Sequence, residues 1–445
     1  MSKTKNKIYI ETLGCPKNFN DTEVACAILE KASYEICESP IEADIIMVNT
    51  CGFINDAKKE SINKIFELAS FGKKLVVSGC LSERYHRELF SEMPEVDLFI
   101  GVNDYPNLPM LLKDKKTRFD GVSHVHSNLV CLEDRKLEKG IYTATLKIAE
   151  GCNNNCAYCV IPSIRGSYRS KKIEDCITEA KYLANKGIKE LILIAQDITN
   201  YGIDLYGEYK LADLLRELCK IDGIHWIRLM YCYEDRITDE LIKTIGEEDK
   251  ICKYIDIPIQ HSSDNVLKGM LRRSTNSSIN KTIKKLRDAV PDIAIRTTLI
   301  VGFPGETDSD FENLYDFVSK TKFARLGAFA YSLEEGTVAG NMENQIDEDI
   351  KILRQDKIME LQREISLDNN KKLVGKTLEV LVEGRDTDGS YYGRTQYDAP
   401  EIDNSIMFTS DKELKQGDFV MVDVIDAYDY DLIGRVHWIH LINLL

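Results

Sequence analysis

The sequence predicts an α/β protein in three parts: an N-terminal parallel α/β domain, a central partly open (βα)6 barrel, and a small C-terminal antiparallel β-barrel. Three observations carry this. Short apolar runs alternate with amphipathic stretches through the first hundred or so residues, the pattern of a parallel sheet covered by helices. A second, longer alternation starts at Thr143. From residue 373 the chain changes to short β-like runs parted by turns such as Asp388-Gly389, which reads as a small barrel.

Taken in order, Lys7–Leu13, Ala43–Asn49, Lys74–Ser78 and Val96–Ile100 are strands, and Asp21–Lys31, Ala57–Ala69 and Glu83–Phe90 are helices. Residues 114–140 are charged and aperiodic, and are expected to form a linker. Strands then follow at Thr143–Ala149, Glu190–Ala195, Trp226–Tyr231, Tyr254–Ile259, Ala294–Val301 and Leu326–Tyr331, with helices such as Ile173–Asn185 and Ser277–Ala289 between them. Six such units form a barrel whose chemistry belongs at the C-terminal strand ends. A charge-dense helical pattern fills 344–372, and Thr377–Val382 and Phe419–Ile425 are strands of the last part. The expected domains are 1–120, 138–370 and 371–445.

The chain has 445 residues, 43% of them apolar, enough for two or three packed cores. No apolar run reaches the eighteen or so residues that span a bilayer. The N-terminus has a basic start but no long apolar core, so no secretion signal is read there. A cytoplasmic protein without membrane partners is expected. Thirteen cysteines, an odd number, fit metal-bound thiolates in a reducing compartment better than a disulfide framework. A net charge of −15 argues against a broadly basic nucleic-acid binder and for a basic protein partner.

Cys152, Cys156 and Cys159 form a C-x3-C-x2-C set directly after the first strand of the second alternation, on the loop at the barrel mouth. Three thiolates are one short of the usual complement of an iron–sulfur cubane, which leaves one iron open. A structural zinc site needs four protein ligands, and no Cys or His at zinc-knuckle spacing supplies the fourth. Cys15, Cys51 and Cys80 each fall one or two residues beyond a predicted parallel strand. Parallel strands end on one sheet edge, where ligands collect, so these thiols should converge into a second three-cysteine site. Three separate buried thiols are the alternative. Cys26, Cys37, Cys131, Cys176, Cys219, Cys232 and Cys252 lack either pattern and are expected to be structural.

The first cysteine set and its setting resemble the radical S-adenosylmethionine (SAM) superfamily. The resemblance implies a 4Fe-4S cluster on Cys152, Cys156 and Cys159 whose open iron chelates SAM, which is cleaved to a hydrogen-abstracting radical. It makes Tyr158, Gln196, Asp197, Arg296 and Gly302 candidate SAM contacts. Gly302 opens a Gly-Phe-Pro-Gly-Glu306 turn after an apolar strand. His261 and Arg296 are read equally well as buried, satisfied residues.

Both cysteine sets together with a terminal β-barrel resemble the methylthiotransferases over nearly the whole chain. That implies a second 4Fe-4S cluster on Cys15, Cys51 and Cys80, a C-terminal TRAM domain, and no catalytic side chains beyond the cluster ligands. Glu11-Thr-Leu-Gly-Cys15-Pro-Lys-Asn18, Ile161-Pro-Ser-Ile-Arg165-Gly-Ser-Tyr-Arg169-Ser170 and Asp398-Ala-Pro-Glu-Ile-Asp403 are similar to the ribosomal-protein branch, the RimO family. This branch modifies the β-carbon of an aspartate in small-subunit ribosomal protein twelve. Asn404 stands where glycine is usual and Lys171 where arginine is usual, differences expected to touch only turn and surface detail. Residues 371–445 hold fourteen Asp and Glu against eight Lys and Arg, which suits a basic protein better than RNA. An electron donor and a sulfur source complete the expected partners. A transfer-RNA adenosine methylthiotransferase, and a non-catalytic iron–sulfur electron carrier or redox sensor, are the alternatives.

Overall fold

A computed structural model of the chain describes residues 6–113, 118–123, 135–138 and 140–437. The first sheet contains β1 (Lys7–Thr12), β2 (Glu35–Ile36), β3 (Ile45–Thr50), β4 (Lys74–Gly79), β5 (Leu98–Phe99) and β6 (Phe119–Asp120). Their order is β2-β1-β3-β4-β5-β6, with every pair parallel. All six residues of β3 are buried, because helices cover both faces of the sheet. Alternate strand residues divide between the two cores. Ile45, Met47 and Val76 meet Ala25 and Leu29 of helix Pro16–Lys31, while Ile46, Val48 and Val77 meet Ile65 of helix Asn55–Ala69 and Leu81 of helix Cys80–Glu92.

The helix expected over Asp21–Lys31 starts five residues earlier, at Pro16, and the one expected over Glu83–Phe90 starts at Cys80. Of the expected linker 114–140, residues 118–123 include β6, the sixth strand of the sheet. Residues 114–117, 124–134 and 139 lie outside the described residues, Cys131 among them.

The central part contains β7 (Thr143–Lys147), β8 (Ala149–Glu150), β9 (Arg169–Ser170), β10 (Glu190–Ile194), β11 (Trp226–Leu229), β12 (Ile251–Asp256), β13 (Ala294–Val301) and β14 (Arg325–Ala330). Six of these form a parallel sheet in the order β14-β13-β12-β11-β10-β7. The first and last strands do not pair, so the barrel stays open on one side. β8 and β9 make a separate antiparallel pair at the mouth. Helix Glu348–Lys371 then packs Ile358, Leu361 and Ile365 into the barrel core.

β15 (Thr377–Arg385), β16 (Tyr391–Thr395), β17 (Ser405–Thr409), β18 (Phe419–Ala427) and β19 (Asp431–Val436) close a barrel in the order β15-β16-β17-β19-β18. Four of its pairings are antiparallel and one, β17 with β19, is parallel.

This small barrel docks on the N-terminal ends of the central strands. Arg394 donates to Glu190 at the start of β10 (3.1 Å to Oε1) and to Thr143 at the start of β7. Arg228 of β11 shares Glu190, at 2.8 Å. Arg325 at the start of β14 holds Asp398, and Arg296 holds Asp403 at 3.3 Å. Phe419 packs edge-on against Trp226 at the start of β11. The Asp398–Asp403 motif is thus a latch between two folding units. Lys171 and Asn404, expected at the surface, are buried: Lys171 pairs with Glu179, and Asn404 donates to Asn370.

Candidate iron–sulfur site

Cys15, Cys51 and Cys80 lie at the C-terminal edge of the first sheet, three residues after β1 and directly after β3 and β4. Two of them stand at helix N-termini, whose partial positive charge favours thiolate. Cys15 is the N-cap of helix Pro16–Lys31, with Pro16 in the first turn where its missing N–H costs nothing, and Cys80 is the first residue of helix Cys80–Glu92. Gly14 has φ +98°, and a Cβ built on it would lie 2.9 Å from the Cβ of Cys51. Only glycine lets the Cys15 turn close over Cys51. Burial pushes the Cys80 thiol up to about 11 against the pull of Arg165, and Cys15 and Cys51 raise it further. The three thiols are therefore near neighbours.

The second set lies on the loop that follows β8. Amides cap two of its sulfurs, Asn154 N–H on Cys152 and Ile161 N–H on Cys159, each at 3.4 Å. The Tyr233 hydroxyl meets Cys156 Sγ at 3.3 Å. Burial pushes Cys152 up to about 11 and Cys159 up to about 12, and Cys156 adds to both shifts. All six cysteines are free.

These donors fit two iron–sulfur clusters. Each set supplies sulfur alone, held mostly away from water. Among the described residues, no three His, Cys, Asp or Glu side chains converge as they would on a single ion. A cubane asks for something different, since each of its irons takes its own thiolate. Cys26, Cys37, Cys176, Cys219, Cys232 and Cys252 are free and take part in neither set.

The two sets face each other across the contact between the first two parts of the chain. Cys80 packs with Val160, the residue after Cys159, and with Ile164. Arg165, fully buried, ties the contact together. Its Nη2 donates to Asn18 Oδ1 at 2.9 Å and to Cys80 Sγ at 3.4 Å, while Nη1 donates to Asp21 at 2.7 Å and to Glu150 at 3.2 Å. Lys147 pairs with the same Asp21 and Glu150. Burial alone would raise the Glu150 carboxyl, but Lys147 and Arg165 outweigh it and hold it well below the usual carboxylate range.

The residues expected to contact SAM divide. Gln196 donates to Glu150 at 2.7 Å, and its buried Oε1 has no partner among the described residues. Gln196 thus has an acceptor left over. Tyr158 packs beside Ala157, Phe303 and Met270, next to the second cysteine set. Asp197 is occupied as a brace. It accepts from Asn154 of the cysteine loop at 3.0 Å and from Arg236, which also holds Asn154 at 2.7 Å.

Arg296 is engaged by Asp256 at 2.9 Å and by Asp403. It sits five residues before the end of β13, about 17 Å along the strand from the mouth. Gly302 has φ +71°, and a Cβ there would lie 2.3 Å from Lys351 Cγ, so only glycine lets helix Glu348–Lys371 approach this turn. Glu306 caps the turn by accepting from the amides of Gly302 and Phe303. His261 is buried and accepts from Ser263 N–H through Nδ1, leaving Nε2 3.9 Å from Glu306. Asn18, Asp21, Glu150 and Arg165 have no sequence signal of their own beyond lying in or beside the quoted motifs, since Asn18 and Asp21 meet Arg165 and Lys147 from more than a hundred residues away.

An open parallel barrel with a three-cysteine loop at its mouth, joined to a second three-cysteine sheet edge, defines a radical SAM enzyme with an additional thiol-rich domain. Residues 7–101 match the uncharacterized protein family UPF0004, residues 146–318 the radical SAM superfamily, and residues 374–436 the TRAM domain. The chain is 50% identical over 437 residues to ribosomal protein uS12 methylthiotransferase RimO of Clostridioides difficile, covering 97% of this chain and 98% of that one. It is also 50% identical, over 446 residues and the same shares, to the RimO of Acetivibrio thermocellus. A solved structure of the radical SAM methyltransferase TsrM from Kitasatospora setae, with cobalamin and a 4Fe-4S cluster bound, matches with a TM-score of 0.59. It is 12% identical and covers 84% of this chain and 76% of its own, a likeness of fold alone. The chain belongs to the RimO family of methylthiotransferases. Among the described residues, no helix is long and apolar enough to cross a membrane.

Proposed function

We propose that this enzyme adds a methylthio group to the β-carbon of an aspartate in ribosomal protein uS12, with Cys152, Cys156 and Cys159 holding one 4Fe-4S cluster and Cys15, Cys51 and Cys80 the other. The observation that carries the reading is the buried contact between the two thiol sets, made by Cys80 on Val160 and by Arg165. When bound, the clusters and SAM supply the radical and the sulfur chemistry. The chain's own residues orient and exclude water. Asp197, Arg236 and Asn154 brace the loop that carries Cys152, Cys156 and Cys159, and Gln196 keeps an acceptor free beside it. Arg165, Asp21, Lys147 and Glu150 hold the two sites face to face with little solvent between them.

The three domains are read as 1–120, 138–370 and 371–445. Asp386, Asp388, Asp411 and Glu413 are exposed at one end of the last barrel, an acidic surface suited to a basic substrate protein. That surface lies at the far end of the barrel from the thiols, so it serves to hold the substrate protein by a part remote from the reacting loop. A separate electron donor, a sulfur source and a cytoplasmic setting belong to the same reading. The deciding experiment is mass spectrometry of uS12 from a strain lacking this gene, with and without the gene restored. Methylthio mass on the aspartate is expected only with the gene, and its persistence without it rules the function out.

A further inference from the structure

Four of the described lysines are buried: Lys17, Lys147, Lys171 and Lys351. Three have carboxylate partners, in Asp21 and Glu150, in Glu179, and in Glu348 respectively. Lys17, 9% exposed, has no ion pair with any described residue. Its ammonium lies 3.5 Å from the centroid of the Tyr231 ring. A ring face eases the burial of a cation but does not neutralise it. Lys17 also sits in the first turn of helix Pro16–Lys31, the end of a helix where a cation is least favoured. Both circumstances call for an anion.

The place of this ammonium says which anion. Lys17 is two residues after Cys15, on the first thiol set. Tyr231 follows β11 at the barrel mouth, two residues before Tyr233, whose hydroxyl meets Cys156. The unpaired charge therefore stands between the two sets, where a substrate must lie to meet both.

We propose that Lys17 binds the side-chain carboxylate of the substrate aspartate and is the source of selectivity for aspartate over asparagine. The proposal rests on the uS12 reading above. The carboxyl carbon is bonded directly to the β-carbon, so a grip on the carboxylate fixes the reacting C–H bond to within one bond length. Tyr231 keeps the ammonium in place before substrate arrives.

The test measures binding of full-length, cluster-loaded enzyme to purified uS12 and to uS12 in which the target aspartate is changed to asparagine. The wild type is expected to bind the aspartate form at least tenfold more tightly, and Lys17→Met to bring the ratio close to one. Iron and sulfide content equal to wild type certifies the variant. If Lys17→Met loses iron, the ratio is read from Lys17→Gln instead. A tenfold preference that survives in an iron-replete variant overturns the proposal and leaves Lys17 to neutralise the thiolates. A wild type that modifies uS12 but binds both forms equally overturns it too. Failure of the uS12 reading looks different: the wild type then adds no methylthio group to uS12 at all.

Discussion

The Arg165 guanidinium donates to the Cys80 sulfur at 3.4 Å through one nitrogen and to Glu150, two residues before Cys152, at 3.2 Å through the other. One side chain thus spans both thiol sets. Guanidinium suits the task because its donors form a rigid planar fork.

Removing that fork leaves Asp21 and Glu150 buried with only Lys147 between them. Breaking a buried ion network by deleting one partner costs about 3 kcal/mol or more. Arg165→Ala is expected to lower the urea midpoint accordingly and to loosen the first domain from the second. Limited proteolysis between residues 114 and 140 reports the loosening.

Each thiol set is expected to hold its own four irons. Wild-type protein purified without oxygen should carry about eight irons, and Cys15→Ala and Cys152→Ala about four each. Iron and sulfide assays read this directly. Loss of all iron in either variant would mean the two sites are not independent.

Burial pushes the Glu190 carboxyl up, but Arg394 and Arg228 overcome burial and bring it down to about 2. A depressed carboxyl stabilises the fold above its unfolded value of roughly 4.3 and loses that contribution as pH falls toward 2. The contribution is on the order of 3 kcal/mol at neutral pH. It falls on the contact between the small barrel and the central one. Glu190→Gln should therefore free the TRAM barrel at neutral pH, read as faster proteolysis between residues 371 and 377. The wild type should show the same release only in acid.

Glu306 behaves in the opposite sense. Burial lifts its pKa to about 7 despite Arg354 and the amides of Phe303 and Gly302. The folded protein thus keeps a proton that the unfolded chain gives up above roughly pH 4.3. Stability should fall as pH rises from there to about 7, and Glu306→Gln should remove that part of the slope. Melting temperature measured across this pH range is the check.

Much of the fold was legible locally. The eight-residue strand Ala294–Val301 and the helix Ile173–Asn185 match their expected limits, because strand and helix periods are written in neighbouring residues. Helices Pro16–Lys31 and Cys80–Glu92 begin before their expected starts. Their first turns are filled mostly by cysteines and polar residues, so no apolar period marks them. Lys171 shows the same limit, a charged residue expected at the surface and found paired inside.

The sequence by itself determined the three-part architecture, and it singled out six cysteines from thirteen, because strand ends and close spacing are local properties. It also suggested Asp197, Arg296 and Gly302 as cofactor contacts, and only the tertiary structure shows the protein partners of each. Asp197 braces Asn154, Arg296 answers Asp403 from 107 residues further on, and Lys351 fills the space beside Gly302. The same holds for Arg165 on Cys80 and Lys17 on Tyr231. A side chain's partner across a domain contact has no period and no spacing, so the geometry between the two thiol sets exists only once the chain has folded.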